Sequence, residues 1–376
     1  MAAERSPCLK QPRRYSPLRH LGSIVYQKDP LHLTVFLTRR CNQRCSFCFY
    51  LAADTPPEKV AGGELSPQEL ERIAASSPPL LWLAFSGGEI FLRDDLVEIA
   101  ETFYRHNRPV IMLLPSNGYD TRRICAAVSE IVARCPRSTV VVKLSLDGPP
   151  EVHDALRGVA GSHAACLRTA AELGPLQEQW PNFELGINSV FCPATQETMK
   201  ETVDFVAGLP YIHTHTISLA RGDLADKSQL TADLAKYQEA CRYLEQKLKS
   251  RQAATYRFGG ARLKAAQDIV QRRYILATAR EQKAQLPCYA GRLNLVIADS
   301  GEVYPCEDFR PAMKMGNIRD YDDNLKALRQ SPRAREVVAN IRRGGCWCTH
   351  ECYMMTNILF NPATYPQLLK EYLQLR

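Results

Sequence analysis

One stretch of eight residues constrains this chain more than any other feature. Cys41, Cys45 and Cys48 follow shortly after the apolar run at residues 33–37. A short apolar run of this kind predicts a buried strand, so the three thiols lie on the loop that leaves its C-terminal end. Zinc sites usually take four protein ligands, whereas a [4Fe–4S] cube held by three thiolates leaves one iron open to another ligand.

Composition sets limits on the class of protein. With 376 residues, 45% hydrophobic and 23% charged, the chain predicts a globular protein with one large and one smaller domain. We expect no membrane span and no signal peptide. Fourteen cysteines without an export signal predict reduced thiols and metal ligands in the cytoplasm rather than disulfides. Residues 1–30 hold six Lys and Arg against two acids, which we interpret as a solvated basic arm.

Apolar runs alternate with amphipathic segments from residue 31 to about 220. Strands are predicted at residues 32–38, 80–85, 110–114, 139–146, 183–191 and 211–219. Helix starts are visible between them, such as the capping box of Ser66 and Glu69 with Pro67 at the first helical position. Six such alternations predict an α/β protein with a parallel sheet covered by helices. Periodicity alone leaves an open sheet and a curved partial barrel as alternatives.

Glycine, polar or charged residues occur where each predicted strand ends. In barrels and open α/β sheets, ligands bind at the carboxyl ends of the strands. The pattern therefore predicts a ligand site at this rim. Its residues are Gly87, Gly88 and Glu89 after the second strand, Asn117 after the third, Ser145 and Asp147 after the fourth, Asn188 on the fifth and Arg221 after the sixth.

A second set of cysteines follows the long helices predicted at residues 225–286. Cys288 and Cys306 flank a predicted strand, turn and strand, and closure of this hairpin brings the two thiols together. Cys346, Cys348 and Cys352 lie near the end of the chain. Five thiols are enough for one further [4Fe–4S] cluster, and a zinc site is the alternative for this region.

The C-x3-C-x2-C spacing, with Phe47 just before the third cysteine, resembles the radical S-adenosylmethionine (SAM) superfamily. In that family the open iron of the cluster chelates SAM. One electron cleaves SAM to a 5′-deoxyadenosyl radical, which abstracts hydrogen from the substrate. The resemblance implies a (βα)6 partial TIM barrel, a [4Fe–4S] cluster on Cys41, Cys45 and Cys48, bound SAM, and a reducing partner such as flavodoxin or ferredoxin.

The resemblance also implies roles for residues at the rim. The Gly-Gly-Glu sequence resembles the family motif that holds the SAM amino group. Ser145 and Asp147 resemble a polar pair near the SAM ribose and carboxylate, and Arg157 matches an arginine that pairs with that carboxylate, a task suited to a bidentate donor. The predicted cofactor-binding residues are Phe47, Gly87, Gly88, Glu89, Asn117, Ser145, Asp147, Arg157 and Asn188.

The C-x12-G-x4-C spacing of Cys288, Gly301 and Cys306 resembles the SPASM or shortened twitch domain of radical SAM enzymes. It implies one auxiliary [4Fe–4S] cluster. The final C-x-C-x3-C departs from the longer SPASM pattern, so the ligands among Cys346, Cys348 and Cys352 stay open. The predicted domains are a basic arm (1–30), a partial barrel (31–224), a helical bridge (225–286) and a small α+β auxiliary-cluster domain (287–376).

Four further residues are candidates for proton transfer. Glu307 and Asp308 follow Cys306 and could accept a proton from a substrate radical, or they could be surface acids. His213 and His215 alternate on the sixth strand, so we expect both on one side, with the barrel interior as one possibility. Hydrogen-bonded structural histidines are the alternative.

The sequence therefore predicts a radical SAM enzyme that abstracts hydrogen from a peptide or a small molecule, aided by an auxiliary cluster. Nucleic acid is not an expected partner. Two other classes stay open. A non-catalytic Fe–S electron carrier leaves the polar rim unexplained, and a zinc-dependent nucleic-acid-binding module would use the cysteine groups and the basic arm.

Overall fold

The structure is a computed structural model that describes residues 12–51, 63–344 and 346–375. Residues 1–11 of the predicted basic arm lie outside the described residues. At the centre is a sheet in which six parallel strands follow one another in chain order. They are β1 (His32–Thr38), β2 (Trp82–Gly87), β3 (Ile111–Ser116), β4 (Thr139–Ser145), β5 (Phe183–Phe191) and β6 (Thr214–Leu219).

The strand positions follow from the apolar runs that predict them. Every residue of β1 is buried, as expected for a parallel strand covered on both faces. The observed strands agree with the predicted ranges within about three residues at each end. The α/β class and the parallel sheet are confirmed.

Helices between the strands cover one face of the sheet. The first begins at the capping box, where Ser66 accepts from the backbone N–H of Glu69 and the Glu69 carboxylate accepts from that of Ser66. Leu70 and Ile73 on its inner face are buried against the strands. These helices are α1 (Pro67–Ser76), α2 (Leu96–Asn107), α3 (Thr121–Arg134), α4 (Pro150–Arg157), α5 (Ser162–Leu173), α6 (Leu176–Gln179) and α7 (Met199–Gly208).

The strands of the C-terminal part extend the central sheet. Strand β7 (Asn294–Ile297) pairs in parallel with β1, and β8 (Glu302–Tyr304) and β9 (Gly316–Asn317) continue the same sheet antiparallel. The strand order among the described residues is β6-β5-β4-β3-β2-β1-β7-β8-β9. The hairpin that carries Cys306 is therefore fixed to the strand that carries the first cysteine loop.

Further helices pack beside β6. Phe191, Ile217 and Leu219 form a hydrophobic cluster with buried residues of these helices. They are α8 (Leu234–Lys249), α9 (Ala261–Glu281), α12 (Glu351–Leu359) and α13 (Tyr365–Gln374). Two others, α10 (Leu325–Arg329) and α11 (Pro332–Arg342), contribute to the main core instead. In the part of the chain that the structure describes, no helix is long and apolar enough to span a bilayer. The predicted domain boundaries stay predictions.

Candidate functional site

The loop with the first three cysteines is held against the end of α4. The backbone N–H of Arg44 donates to the carbonyl of Arg157 at 3.0 Å, and that of Ser46 donates to Leu156 at 3.0 Å. The Arg44 guanidinium donates to the carbonyls of Cys41 and Gln43, both at 2.9 Å. These bonds fix the backbone of the loop through groups other than the thiols.

The glycine pair makes room for this loop. A Cβ on Gly87 would lie 2.4 Å from the carbonyl oxygen of Thr38, and one on Gly88 would lie 2.1 Å from that of Arg40. Such contacts with backbone atoms cannot be relieved by a rotamer change. The cysteine loop and the end of β1 therefore take up the space that a side chain at either position would need.

A cavity of about 260 Å³ opens at the carboxyl ends of the strands, as the polar rim predicts. It brings together all three thiols of the loop and eight of the nine predicted cofactor-binding residues. The predicted residues that line it are Cys41, Cys45, Cys48, Phe47, Gly87, Gly88, Glu89, Asn117, Ser145, Arg157 and Asn188. Asp147 is fully buried beside Arg157.

Glu89 is a buried carboxylate with three internal donors. It accepts from the backbone N–H of Asn117 at 2.8 Å, from that of Phe91 at 3.3 Å and from the Ser116 hydroxyl at 3.1 Å. Burial is the largest influence on this carboxyl and raises its pKa to about 7, although these hydrogen bonds act in the opposite direction. A cation entering the cavity would favour the ionised form.

Arg157 connects α4, the cysteine loop and the cavity. Its Nε donates to Oδ2 of Asp147 at 2.8 Å, its Nη1 lies 3.7 Å from the Cys45 sulfur, and its guanidinium lies 5.1 Å from the centre of the Phe47 ring. Burial disfavours the charge, but Asp147 and Cys45 outweigh it and raise the pKa of Arg157. A permanent cation therefore stands at the wall of the cavity.

Comparisons with known proteins agree with this geometry. A family model described as the radical SAM superfamily matches residues 35–206, and one described as an iron–sulfur cluster-binding domain, SPASM, matches residues 288–353. Residues 35–206 therefore carry a radical SAM domain. The SPASM match identifies the C-terminal part as an iron–sulfur domain of that type.

Individual relatives show how far the likeness extends. Over 314 residues this radical SAM protein is 26% identical to the antilisterial bacteriocin subtilosin biosynthesis protein AlbA of Bacillus subtilis, covering 82% of this chain and 61% of AlbA. Over 147 residues it is 30% identical to Fe-coproporphyrin III synthase of Methanosarcina barkeri, covering 39% of this chain and 34% of the synthase. The chain therefore spans less than two thirds of either relative.

Among solved structures, Streptococcus suis SuiB bound to the precursor peptide SuiA has the same fold. The TM-score is 0.60 at 18% identity, over 86% of this chain and 70% of SuiB. At 18% identity this similarity supports the shared fold, including the parallel sheet, and carries no information on the activity.

The matched radical SAM and SPASM domains imply a [4Fe–4S] cluster with SAM and an auxiliary iron–sulfur cluster. The residues of the cavity fit the first group, because three thiols surround one space and thiolates are the usual ligands of such clusters. Burial raises the pKa of the Cys41 thiol to about 11, so binding of iron must displace its proton. Within the described ranges, no group of His, Cys, Asp and Glu is arranged around a single metal ion.

Electrostatic effects connect four of the five auxiliary cysteines. Beyond the effect of burial, Cys348 and Cys288 raise the pKa of the Cys306 thiol, and Cys288 does the same for Cys346. Cys288 and Cys346 likewise raise the pKa of Cys348. After burial, the strongest influences on Cys352 are Glu307, Glu351 and Arg221.

A charged network lies between these thiols and the cavity. Arg221, which lines the cavity, has its Nη2 3.3 Å from Glu307 and its Nε 3.7 Å from Glu351. The Nε2 of His350 lies 2.6 Å from Glu307, and its Nδ1 accepts from the backbone N–H of Cys352. Burial alone would raise the pKa of Glu307, but His350 and Arg221 lower it to about 2. Glu307 is therefore a strong partner for Arg221 and a weak proton acceptor.

The other three candidates for proton transfer lie away from the cavity. The Nε of Arg310 donates a hydrogen bond to Oδ1 of Asp308 at 2.8 Å. His215 shares the face of β6 with Ile217, which packs against the helices, while Ser218 on the opposite face lines the cavity. His213 precedes the first residue of β6. His215 therefore faces the helices rather than the barrel interior.

Sequence reasoning missed three residues of the site. His350 and Glu351 lie between Cys348 and Cys352, and Gln43 lies between Cys41 and Cys45. The spacing of the cysteines assigns them no role. Their signal is weak, since polar residues between cysteines are common. Only the fold brings Arg221 after β6 next to Glu351 at the start of α12.

Proposed function

We propose that this chain is a radical SAM enzyme that abstracts hydrogen from a peptide substrate. The observation that carries the proposal is the cavity in which three thiols, the glycine pair, Glu89 and Arg157 meet at the carboxyl ends of the strands. When bound and reduced by one electron, the cluster and SAM supply a 5′-deoxyadenosyl radical as the hydrogen acceptor.

Different residues of the cavity would hold the cluster and SAM. Cys41, Cys45 and Cys48 supply three thiolates. Glu89 offers a carboxylate to the ammonium group of SAM, and Arg157 offers its Nη1 to the carboxylate. Ser145 and Asn188 would offer polar groups to the sugar of SAM. Contacts at both charged ends would fix the position of SAM in the cavity.

The substrate enters beside Arg221 and Glu351, which form the wall of the cavity nearest the C-terminal part. A peptide is supported by the long match to AlbA, a bacteriocin biosynthesis protein, and by the fold shared with peptide-bound SuiB. The shorter match to Fe-coproporphyrin III synthase favours a second candidate, a carboxylate-bearing small molecule. Arg221 could pair with a carboxylate from either class.

For the auxiliary cluster we propose Cys288, Cys306, Cys346 and Cys348 as ligands. The mutual effects of these thiols on their pKa values support this set. Four thiolates complete a [4Fe–4S] cluster without an open iron. A cluster with protein ligands on all four irons is better suited to electron transfer than to direct binding of the substrate. A flavodoxin or ferredoxin is proposed as the source of the first electron.

The test is SAM cleavage by anaerobically reconstituted protein reduced with dithionite. We expect 5′-deoxyadenosine, and none from a variant with Cys41, Cys45 and Cys48 changed to alanine. Cleavage by that variant would refute the assignment, and no cleavage by wild type would favour the electron carrier. Incubation with separate peptide and small-molecule fractions of host extract then identifies the substrate class, because only the correct fraction should increase 5′-deoxyadenosine formation.

A further inference from the structure

Gln43 is a buried amide inside the first cysteine loop. It lies between Cys41 and Cys45, its side chain is 1% exposed, and it lines the cavity. Its Nε2 has no hydrogen-bond partner among the described residues. A buried amide without a partner is costly, whereas an apolar side chain of the same size would fill this space without that cost. The N–H groups of Gln43 therefore need an acceptor.

A candidate acceptor in the same loop is the sulfur of Cys45. In the protonated thiol form, Cys45 directs its S–H at Oε1 of Gln43 across 4.0 Å, a weak contact. A thiolate bound to iron has no proton to donate, so an amide oxygen facing it would be repelled. Rotation of the amide by half a turn exchanges its oxygen and nitrogen, which differ little in shape. The N–H group then faces the sulfur.

From this geometry we propose that Gln43 donates a hydrogen bond to the Cys45 thiolate of the bound cluster and thereby raises the reduction potential of that cluster. The inference rests on the proposed function, since it requires a cluster on these thiols. Arg157, with Nη1 3.7 Å from the same sulfur, is a second donor. Cys45 is thus a sulfur with two side-chain donors in reach.

The sign of the effect follows from charge. Reduction adds one negative charge to the cluster, so a donor at its sulfur stabilises the reduced state more than the oxidised state. Hydrogen bonds to the sulfurs are a recognised determinant of the potentials of iron–sulfur clusters. An amide in a buried site acts more strongly than one in water. Loss of this donor should make the cluster harder to reduce.

The experiment is a redox titration of Gln43→Leu followed by electron paramagnetic resonance (EPR). Leucine keeps the volume, so water is not admitted in place of the amide. At the midpoint potential of the wild type, we expect the ratio of reduced to oxidised cluster to fall about tenfold, which is about 59 mV for a one-electron couple. The signal belongs to this cluster if it is absent from the triple alanine variant and changes on addition of SAM.

Two further variants keep the test decisive. Gln43→Met also removes the donor and adapts its shape more easily, so it replaces the leucine variant if that protein does not fold. Gln267→Leu removes another fully buried glutamine, located on α9, and should leave the potential unchanged. A wild-type potential in both Gln43 variants at full iron content overturns the inference. Absence of the signal from wild type would instead refute the proposed function.

Discussion

Arg157 and Asp147 form a buried ion pair in which Nε and Nη2 of the arginine both lie 2.8 Å from Oδ2 of the carboxylate. Asp147 also accepts from the backbone N–H of Val190. The pair fixes the guanidinium so that Nη1 points toward Cys45 and the cavity. Asp147 therefore acts on the cavity through Arg157.

The Asp147→Asn substitution tests this relationship. It leaves the buried charge of Arg157 without its partner, so we expect the free energy of unfolding to fall by about 3 kcal/mol. The KM for SAM should rise more than kcat falls, because the arginine loses its orientation. Urea unfolding and initial rates of 5′-deoxyadenosine formation measure the two effects. The control is Glu151→Gln. Glu151 is exposed on α4, the helix that carries Arg157, and this substitution should change neither the stability nor the kinetics.

The second prediction concerns the contact between Gly88 and the cysteine loop. In Gly88→Ala, the added Cβ would lie 2.1 Å from the carbonyl oxygen of Arg40 and 3.1 Å from the Cβ of Cys41. The loop must shift, so we expect loss of the first cluster and retention of the auxiliary one, roughly half of the iron and sulfide. Gly208→Ala, with nothing within 4 Å of the added atom, should keep full iron. Full iron in Gly88→Ala would show that the loop adapts.

Local patterns predicted the parallel sheet and most of the cavity. The ends of parallel strands meet at one edge, so residues distant in sequence such as Glu89 and Asn188 could be placed together from periodicity alone. The pairing of β7 with β1 could not be predicted from periodicity, because it joins Asn294 to His32 and no local pattern encodes that contact. Likewise, the spacing of Asp147 and Arg157 does not reveal which of the two faces the cavity.

The third prediction uses the pKa of Glu89, which burial raises from 4.5 to about 7. Between these values the folded state binds a proton that the unfolded state has lost. The free energy of unfolding therefore falls as pH rises from about 4.5 to about 7, by about 3 kcal/mol from this group. Glu89→Gln should remove that slope, measured as the difference between variant and wild type in SAM-free protein at each pH. Exposed Glu98→Gln should preserve it.

The fourth prediction concerns Arg221, which faces Glu307 and Glu351. Arg221→Gln removes the cation that both acids share, and Glu307 then loses one of the two groups that lower its pKa. We expect SAM cleavage without substrate to continue and substrate modification to fall at least about tenfold, because the network lies at the substrate wall. Mass spectrometry of the product against 5′-deoxyadenosine measures this split. Equal loss of both activities would place Arg221 with the SAM-binding residues instead.

The last prediction separates Cys352 from the other C-terminal thiols. After burial, Glu307, Glu351 and Arg221 have the largest effects on the pKa of Cys352, while Cys348 and Cys288 raise that of Cys306. We therefore expect Cys352→Ser to keep the iron of both clusters, and Cys348→Ser to lose that of the auxiliary cluster, about half of the total. Iron and sulfide analysis with EPR of the reduced proteins distinguishes the two variants. The opposite result, in which Cys352→Ser loses the auxiliary cluster and Cys348→Ser retains it, would make Cys352 a ligand in place of Cys348. The first turn of α12 would then hold the cluster.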